Sequence, residues 1–518
     1  TTLPDPGRYH IGGSSIGGKD MVYMQTSQGR AVYPSFRAPT NMFIWNHDET
    51  APYATQPIEM DKFGDMDKGG LRFHKRMNAE VMLYINGASV PTGAIPGLTS
   101  NSGYNALSDL NGYKDIIKGS DSTVLSNWTN PARTFKALTA LWGRNTTPNT
   151  TGYNIFGTNS PDLTRGQNKV KIMEMDNEPD HDWLGVTGYS SPEVLWNKYK
   201  RTYDSVKATD PTMLVYSGAM LSADTIKMKA IHFINFWKTG SKTSDPFDGI
   251  CFNQYISDAY GGQPHGSGSS AVSPEQFKVK EWMMAIGRLR DEIFPGKGFR
   301  WTEIGFAIGA SDYDVVEKPG IPDSVMQGAM MIRVYERANM VPNVLQATYN
   351  YFHTSDGVGV FATMRAVREK FNGSSVYIGS DRLPIWYMIA MRSNYLWDYK
   401  GWSTTVVDGD STGVSVVYRD HITDNTKRVY SVWMGTYSGA TSSNYVVNVG
   451  SATTATLVTY QFGNDMGTQT PLTITGGNVT VPLVNEIPAY IVVSTSVIAP
   501  PDNKISKPNG IKWNIIQQ

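Results

Sequence analysis

Among 518 residues there is one cysteine, Cys251. That excludes an intrachain disulfide and any multi-cysteine zinc or iron–sulfur centre, and it leaves the compartment open, because a large core can dispense with disulfides. Charge is scarce and balanced: 46 Lys+Arg against 46 Asp+Glu, 18% of the chain, where about 25% is ordinary. A broad cationic surface for nucleic acid or anionic lipid is thereby excluded. No run of ~18 apolar residues occurs, so no membrane-spanning helix is expected. Internal repeats of about 20–50 residues are absent. His47 and His181 belong to no close-spaced ligand cluster, so neither a metal nor another cofactor is expected. Asp408-Gly409-Asp410 and Asp109-Leu110-Asn111-Gly112 read as turns rather than calcium loops. The opening Thr1-Thr2-Leu3-Pro4, without Met, is expected to be a mature or trimmed form.

What the chain does have is aromatic residues (13 Trp, 28 Tyr, 18 Phe) and dispersed Gly and Pro. Its length exceeds what one core usually serves, so two domains are expected. Up to about residue 400, apolar strands alternate with helical patterns. The strand candidates are Arg8–Gly12, Asn41–Asn46, Glu80–Asn86, Val170–Met175, Met213–Ser217, Asp248–Gln254, Gly298–Ile304 and Val344–Phe352. Helix starts are signalled by Ser191-Pro192-Glu193, Ser273-Pro274-Glu275 and Asn130-Pro131, with a fourth helix over Asp323–Asn339. The first two units are poorly signalled, because Gly13–Thr40 shows no convincing helix. This order predicts an α/β fold, a (β/α)8 TIM barrel.

From about residue 401 the texture turns to short Thr/Val/Ser/Gly-rich strands, which predicts an antiparallel β-sandwich. Its strands are expected near Thr404–Val407, Val414–Tyr418, Arg428–Met434, Tyr445–Val449, Ala455–Gln461, Pro471–Thr475, Asn478–Pro482 and Ala489–Thr495, with a hairpin turn at Gly476-Gly477. The expected division is a catalytic barrel over 1–398, a sandwich over 399–498 and a tail over 499–518. Pro384-Ile385-Trp386-Tyr387 opens the last barrel helix, which runs on to Gly401 without a flexible spacer. The sandwich is therefore expected to pack on the barrel rather than to be freely tethered.

The sharpest local feature is Lys171-Ile172-Met173-Glu174-Met175-Asp176-Asn177-Glu178-Pro179. Pro179 cannot continue a central ladder, so the fourth strand ends near Glu178, at the barrel face where active sites sit. Glu303 sits in the same kind of place, near the end of the seventh strand. Two carboxyls across one sugar-sized gap are the machinery of glycoside hydrolysis.

On Asn177-Glu178-Pro179 at strand four and Glu303 at strand seven, the chain resembles the clan A glycoside hydrolases. The resemblance implies Glu178 as acid/base, Glu303 as nucleophile and Asn177 as the holder of the sugar 2-hydroxyl. At strand six, Asn253 stands where many clan members have His, whereas Tyr255 matches the Tyr whose hydroxyl bonds the nucleophile. Further mouth residues are expected at strand ends and in nearby loops: Trp45, His47, Trp183, His353 and Trp386. The Pro4-Asp5-Pro6-Gly7-Arg8 opening and the long Gly/Asn/Thr-rich stretch Ala88–Lys169 resemble family 86, the endo-acting β-agarases and β-porphyranases; families 39 and 30 share much of the pattern. The resemblance implies a poly- or oligosaccharide substrate, a monomer, and secretion or residence in a bacterial cell envelope. A non-catalytic carbohydrate-binding protein is the reading from another class.

Overall fold

The computed structural model describes residues 10–14, 25–40, 80–85, 104–108, 114–118, 125, 129–144, 166, 168–177, 192–220, 246–256, 271–309, 314–351, 363–371 and 374–495. In chain order its first half holds β1 (Ile11–Ser14), β2 (Ser35–Thr40), β3 (Glu80–Ile85), a hairpin of β4 (Tyr104–Ser108) and β5 (Lys114–Lys118), α1 (Thr129–Trp142), β6 (Ile172–Glu174), α2 (Pro192–Thr209), β7 (Leu214–Met220) and β8 (Gly249–Asn253). Then come α3 (Val279–Ile293), β9 (Gly298–Ile304), α4 (Asp323–Ala338), β10 (Ala347–Tyr351), a second hairpin of β11 (Met364–Phe371) and β12 (Ser374–Arg382), and α5 (Pro384–Leu396). Strands β1, β2, β3, β6, β7, β8, β9 and β10 are parallel and close into a barrel. Thus β6 is the fourth barrel strand and β9 the seventh.

Period-two alternation sorts the strand residues. Val81, Leu83, Met173, Val215, Phe252, Phe299 and Trp301 face outward into one core with the helices. Met82, Ile172, Tyr216, Cys251 and Ala347 form a separate apolar cluster inside the barrel. Gly249 and Gly298 leave room there for the Tyr216 ring; a Cβ on either would come within 2.2 Å of a Tyr216 atom. The helices bury the stripes their sequences announce: Phe135, Leu138 and Trp142 on α1, and Leu195, Tyr199 and Val206 on α2.

Several expectations are corrected. The second strand is Ser35–Thr40 and not Asn41–Asn46, which lies outside the described residues. Ser273 does cap a turn, its hydroxyl accepting from the Gln276 N–H at 3.1 Å and the Gln276 side chain accepting from Ser273 N–H at 3.0 Å. The helix proper starts only at Val279, because Lys278 is left-handed at φ 63. That single turn points Glu275 into the interior, where it meets Arg333. The hairpins β4–β5 and β11–β12 were not expected.

The C-terminal strands are β13 (Thr404–Val407), β14 (Val414–Asp420), β15 (Lys427–Met434), β16 (Ser442–Asn448), β17 (Thr454–Gln461), β18 (Asn464–Pro471), β19 (Asn478–Val484) and β20 (Ala489–Ser494). Six form an antiparallel sheet in the order β13-β14-β15-β20-β17-β18, and β16 pairs with β19. Val416, Val432 and Ile491 of the larger sheet pack against Val447, Val479 and Val481 of the smaller, as in a sandwich. The turn at Gly476-Gly477 is present, both residues having positive φ (56 and 77). The strand expected before it, Pro471–Thr475, is not: β18 runs from Asn464 to Pro471 and pairs with β17 across a turn at Phe462-Gly463.

The C-terminal sheets meet the barrel over a mixed interface. Met391 and Leu396 of α5 share an apolar cluster with Val429, Val458 and Tyr490, and Met340 packs with Val417 and Trp433. Charged groups lie beside them, buried at Glu275 and Glu336 and more open at Asp408. Trp433 donates to Glu275 at 2.8 Å, Asp408 accepts from Lys280 at 2.6 Å and from Arg337 at 2.5 Å, and Glu336 lies between Arg392 (3.0 Å) and Arg419. Burial pushes the Glu336 carboxyl up, but Arg419 and Arg392 outweigh it and hold it below the usual carboxylate range.

Two outcomes follow. Residues 1–400 expressed alone should be insoluble or inactive, since truncation exposes Met340 and Met391 and strips Glu336 of Arg419; a soluble, fully active fragment would count against this packing. Arg419→Met should cost about 3 kcal/mol at neutral pH, read from denaturant melts. Because the folded carboxylate is depressed, its contribution is present above the unfolded value of about 4.3 and is lost as pH falls through the lower folded value. The deficit of the variant should therefore shrink in acid.

Candidate active site

The barrel interior is layered. Near the strand starts, Arg300 donates to Glu80 at 2.5 Å and lies near Ser35. The apolar layer of Met82, Ile172, Cys251 and Ala347 follows. Above it, toward the strand ends, comes a second charged layer. β2 presents Arg37, which is fully buried, as is Glu174 on β6. Arg37 Nε donates to Glu174 Oε2 at 2.6 Å and Nη2 to Oε1 at 2.8 Å, a two-point clamp. Its Nη1 donates to Glu303 Oε1 at 2.5 Å, and Nη2 also to Asn177 Oδ1 at 2.7 Å. The Tyr84 ring on β3 lies 3.8 Å from the guanidinium carbon.

Glu303 reaches this layer through an irregularity. Trp301 is paired with Phe252 on β8, yet Asn253 pairs with Glu303, so Thr302 is skipped. On the other side β10 also shifts register between Thr348, paired with Trp301, and Asn350, paired with Ile304. An extra residue in β9 turns Glu303 onto the face that Arg300 occupies, where strict alternation would have placed Thr302. Thr302 instead donates to Phe252 O at 2.9 Å and to Asn253 Oδ1 at 2.8 Å. The free edge of Glu303 is held by Tyr255, whose hydroxyl donates to Oε2 at 3.2 Å. The Glu303 side chain keeps 11% exposure, whereas those of Arg37 and Glu174 have none.

Asn177 sits just beyond β6 and bridges to Ala219. Its Oδ1 accepts from Arg37 and, at 3.4 Å, from Asn253 Nδ2. With that oxygen engaged, its amide N–H groups are the ones left to meet a ligand. Behind it Asp176 is pinned by Lys198 at 2.8 Å. Burial pushes the Glu174 carboxyl up, to about 7, against the opposing pull of Arg37. Arg37, despite desolvation, is held well above its ordinary value by Glu174 and Glu303.

Of the residues named from the sequence, the fold brings together Glu303, Asn177 and Tyr255. Glu178 directly follows Asn177 but lies outside the described residues, as do Trp45, His47, Trp183 and His353. Trp386 is a correction: it is fully buried on α5, with Arg382 stacked on it at 3.8 Å, so it offers no face to a sugar. Arg37 and Glu174 were missed. The signal available was a charged residue within an apolar strand, Phe36-Arg37-Ala38 and Met173-Glu174-Met175, and misplacing the second strand hid the first. Among the described residues there is no group of three or more His, Cys, Asp or Glu that could hold a metal, and no helix is long and apolar enough to cross a membrane.

No family model matches the chain, and neither does any curated relative. Its fold is nevertheless shared with solved glycoside hydrolases. A family 39 enzyme from Bacteroides cellulosilyticus WH2 aligns over 95% of this chain and 81% of its own, at 16% identity and TM-score 0.55. A family 30 endoxylanase from Clostridium papyrosolvens C71 aligns over 95% and 98%, at 13% identity and TM-score 0.53. A family 44 endoglucanase from Clostridium acetobutylium ATCC 824 aligns over 95% and 97%, at 13% identity and TM-score 0.54. This chain thus shares with these neighbours, which are clan A glycoside hydrolases, a barrel with C-terminal antiparallel sheets. The family 86 assignment is not supported by these likenesses.

The clamp makes a prediction of its own. In Arg37→Met only the Ala219 amide is left to offset burial at Glu174, and the loss should be about 3–5 kcal/mol at neutral pH. A carboxyl raised by burial contributes most below its unfolded value and loses that contribution as pH rises through the folded one. The melting-temperature deficit should therefore grow from pH 5 to pH 8; a deficit that shrinks over this range would refute the assignment of Arg37 as the counterion.

Proposed function

We propose that the protein is a retaining glycoside hydrolase acting on a β-linked polysaccharide. The observation that carries this reading is the state of Glu303: a strand-seven carboxylate turned inward by an extra residue, held at one oxygen by Arg37 and at the other by Tyr255, and still partly open at the barrel mouth. Two hydrogen bonds fix the carboxylate plane, which is what an attacking group needs. In this reading Glu303 attacks the anomeric carbon while Glu178, next to Asn177, protonates the leaving oxygen. Water activated by Glu178 then releases the sugar. The Asn177 amide donates to a sugar hydroxyl beside the reacting carbon. Retention requires the two carboxyls to be about 5–5.5 Å apart.

The finer reading is an endo-acting agarase or porphyranase, drawn from the resemblance to family 86, with action outside the cytoplasm because a polysaccharide is too large to be taken in whole. Xylan or a related β-glycan is the second reading, favoured by likeness in fold to a family 30 endoxylanase. Reducing-end assays on agarose, porphyran, xylan and β-glucan separate them. NMR of the first product should show the original anomeric configuration. Glu303→Ala should lose activity by about 10³-fold or more, and azide should restore part of it as a glycosyl azide of inverted configuration. Glu178→Ala should keep more activity on aryl glycosides with good leaving groups, and its azide adducts should retain configuration. An inverted first product, or equal loss at both positions without rescue, would sink the double displacement. Glycan binding without any turnover by the wild type would favour a carbohydrate-binding protein.

A further inference from the structure

Glu174 has no place in a two-carboxylate displacement. Its side chain is fully buried, and the Arg37 fork occupies both of its oxygens. Yet it takes two hydrogen bonds from Arg37 where Glu303 takes one. One guanidinium thus serves carboxylates on the fourth and seventh strands, and with both ionised the three groups carry one net negative charge.

The retaining reading, on which this inference rests, changes that balance. A Glu303 oxygen forms a bond to the anomeric carbon as the glycosidic C–O bond breaks. The bonding pair leaves with the departing oxygen, which takes a proton from Glu178. Glu303 becomes a neutral ester while Arg37 keeps its charge. Without a second carboxylate, a cation would be left buried and unpaired beside a sugar passing through an oxocarbenium-like state. We infer that Glu174 is a positioning residue that takes over the Arg37 charge while Glu303 is held as an ester, keeping this layer from turning positive under the reacting carbon.

The surroundings suit that role. Among the described residues, the groups facing Glu174 are Arg37 from β2 with the Tyr84 ring beyond it, Glu303 from β9, the Cys251 thiol from β8 and the Ala219 amide from β7. Burial holds the Cys251 thiol well above its ordinary value, so it stays neutral. Burial raises the Glu174 carboxyl; Arg37 lowers it, and the Glu303 charge raises it again. Removal of the Glu303 charge, as in the ester, therefore makes Glu174 a stronger acid and keeps it ionised.

Glu303→Gln imitates the charge of the ester, which permits a test without substrate. Protein labelled with δ-13C glutamate is titrated by NMR, Glu174 being assigned by the signal lost in Glu174→Asp. The Glu174 midpoint should fall by about one pH unit in Glu303→Gln relative to wild type; an unchanged or higher midpoint overturns the inference. Kinetics on the glycan that the wild type turns over provide the second arm. Glu174→Gln should lose about 10²-fold in kcat with KM within about twofold, and the acid limb of its kcat/KM profile should move to lower pH. Glu174→Asp, which keeps the charge, should stay within about tenfold of wild type and keep that limb. A folded Glu174→Gln with wild-type kcat and pH profile, or an aspartate variant as damaged as the glutamine one, overturns the role. A wild type that turns over no glycan removes the glycosidase reading and the role in turnover with it, while the titration decides the sharing of charge separately.

Discussion

A guanidinium buried on the axis of a barrel cannot stand alone. An unpaired charge there costs several kcal/mol, a large share of a fold's net stability, so Arg37 compels the strands around it to supply carboxylates. β6 supplies Glu174 and β9 supplies Glu303, and the arginine in turn fixes how these two strands face each other. Asn177 and Asn253 complete the layer by pairing the polar atoms that remain. The geometry at the mouth follows from this one obligation. Glu303 has little rotational freedom because both its oxygens are engaged, and the Asn177 amide is oriented because its oxygen is already taken. Beneath, the apolar layer of Met82, Ile172, Cys251 and Ala347 separates this arginine from Arg300 near the strand starts.

The same rule operates where the barrel meets the C-terminal sheets. α4 is buried along nearly its whole length, because it lies between the barrel and those sheets. Arg333, Glu336 and Arg337 recur on it at spacings of three and one, and each finds an opposite charge: Glu275, then Arg392 and Arg419, then Asp408. Such pairs add little net stability relative to apolar packing, but breaking one strands a buried partner, Glu275, Glu336 or Arg337. They therefore penalise any docking in which Arg419 or Asp408 is displaced by even a few ångströms, and they act as a register for apolar contacts such as Met340 with Trp433.

Enzymes named for different glycans share this fold at 11–14% identity. What is shared is the barrel fold, and in folds of this kind ligand choice belongs to the loops at the strand ends. The layer that joins Arg37, Glu174 and Glu303 lies deep in the barrel, with only Glu303 keeping some side-chain exposure.

Much of the architecture was legible locally. Gly298–Ile304 and Glu80–Ile85 are apolar runs between turn residues, and α2 announces itself through Pro192 and its buried stripe. Asn177 and Glu303 could be named because residues at parallel strand ends converge on one mouth whatever the loops do. β2 was misplaced because Ser35-Phe36-Arg37-Ala38-Pro39-Thr40 carries a charge and a proline, which argue against a central strand unless a partner for the charge is known. The partners lie 137 and 266 positions away, and no local pattern reveals them. The sequence by itself determined the order of elements and the parallel barrel, and it placed Asn177 and Glu303 at strand ends, since these depend on period and on turn residues. Only the tertiary structure decided that Arg37 joins Glu174 to Glu303, and that Glu303 rather than Thr302 faces inward. Charge pairing across a closed barrel and a one-residue shift in a ladder are set by packing between distant strands.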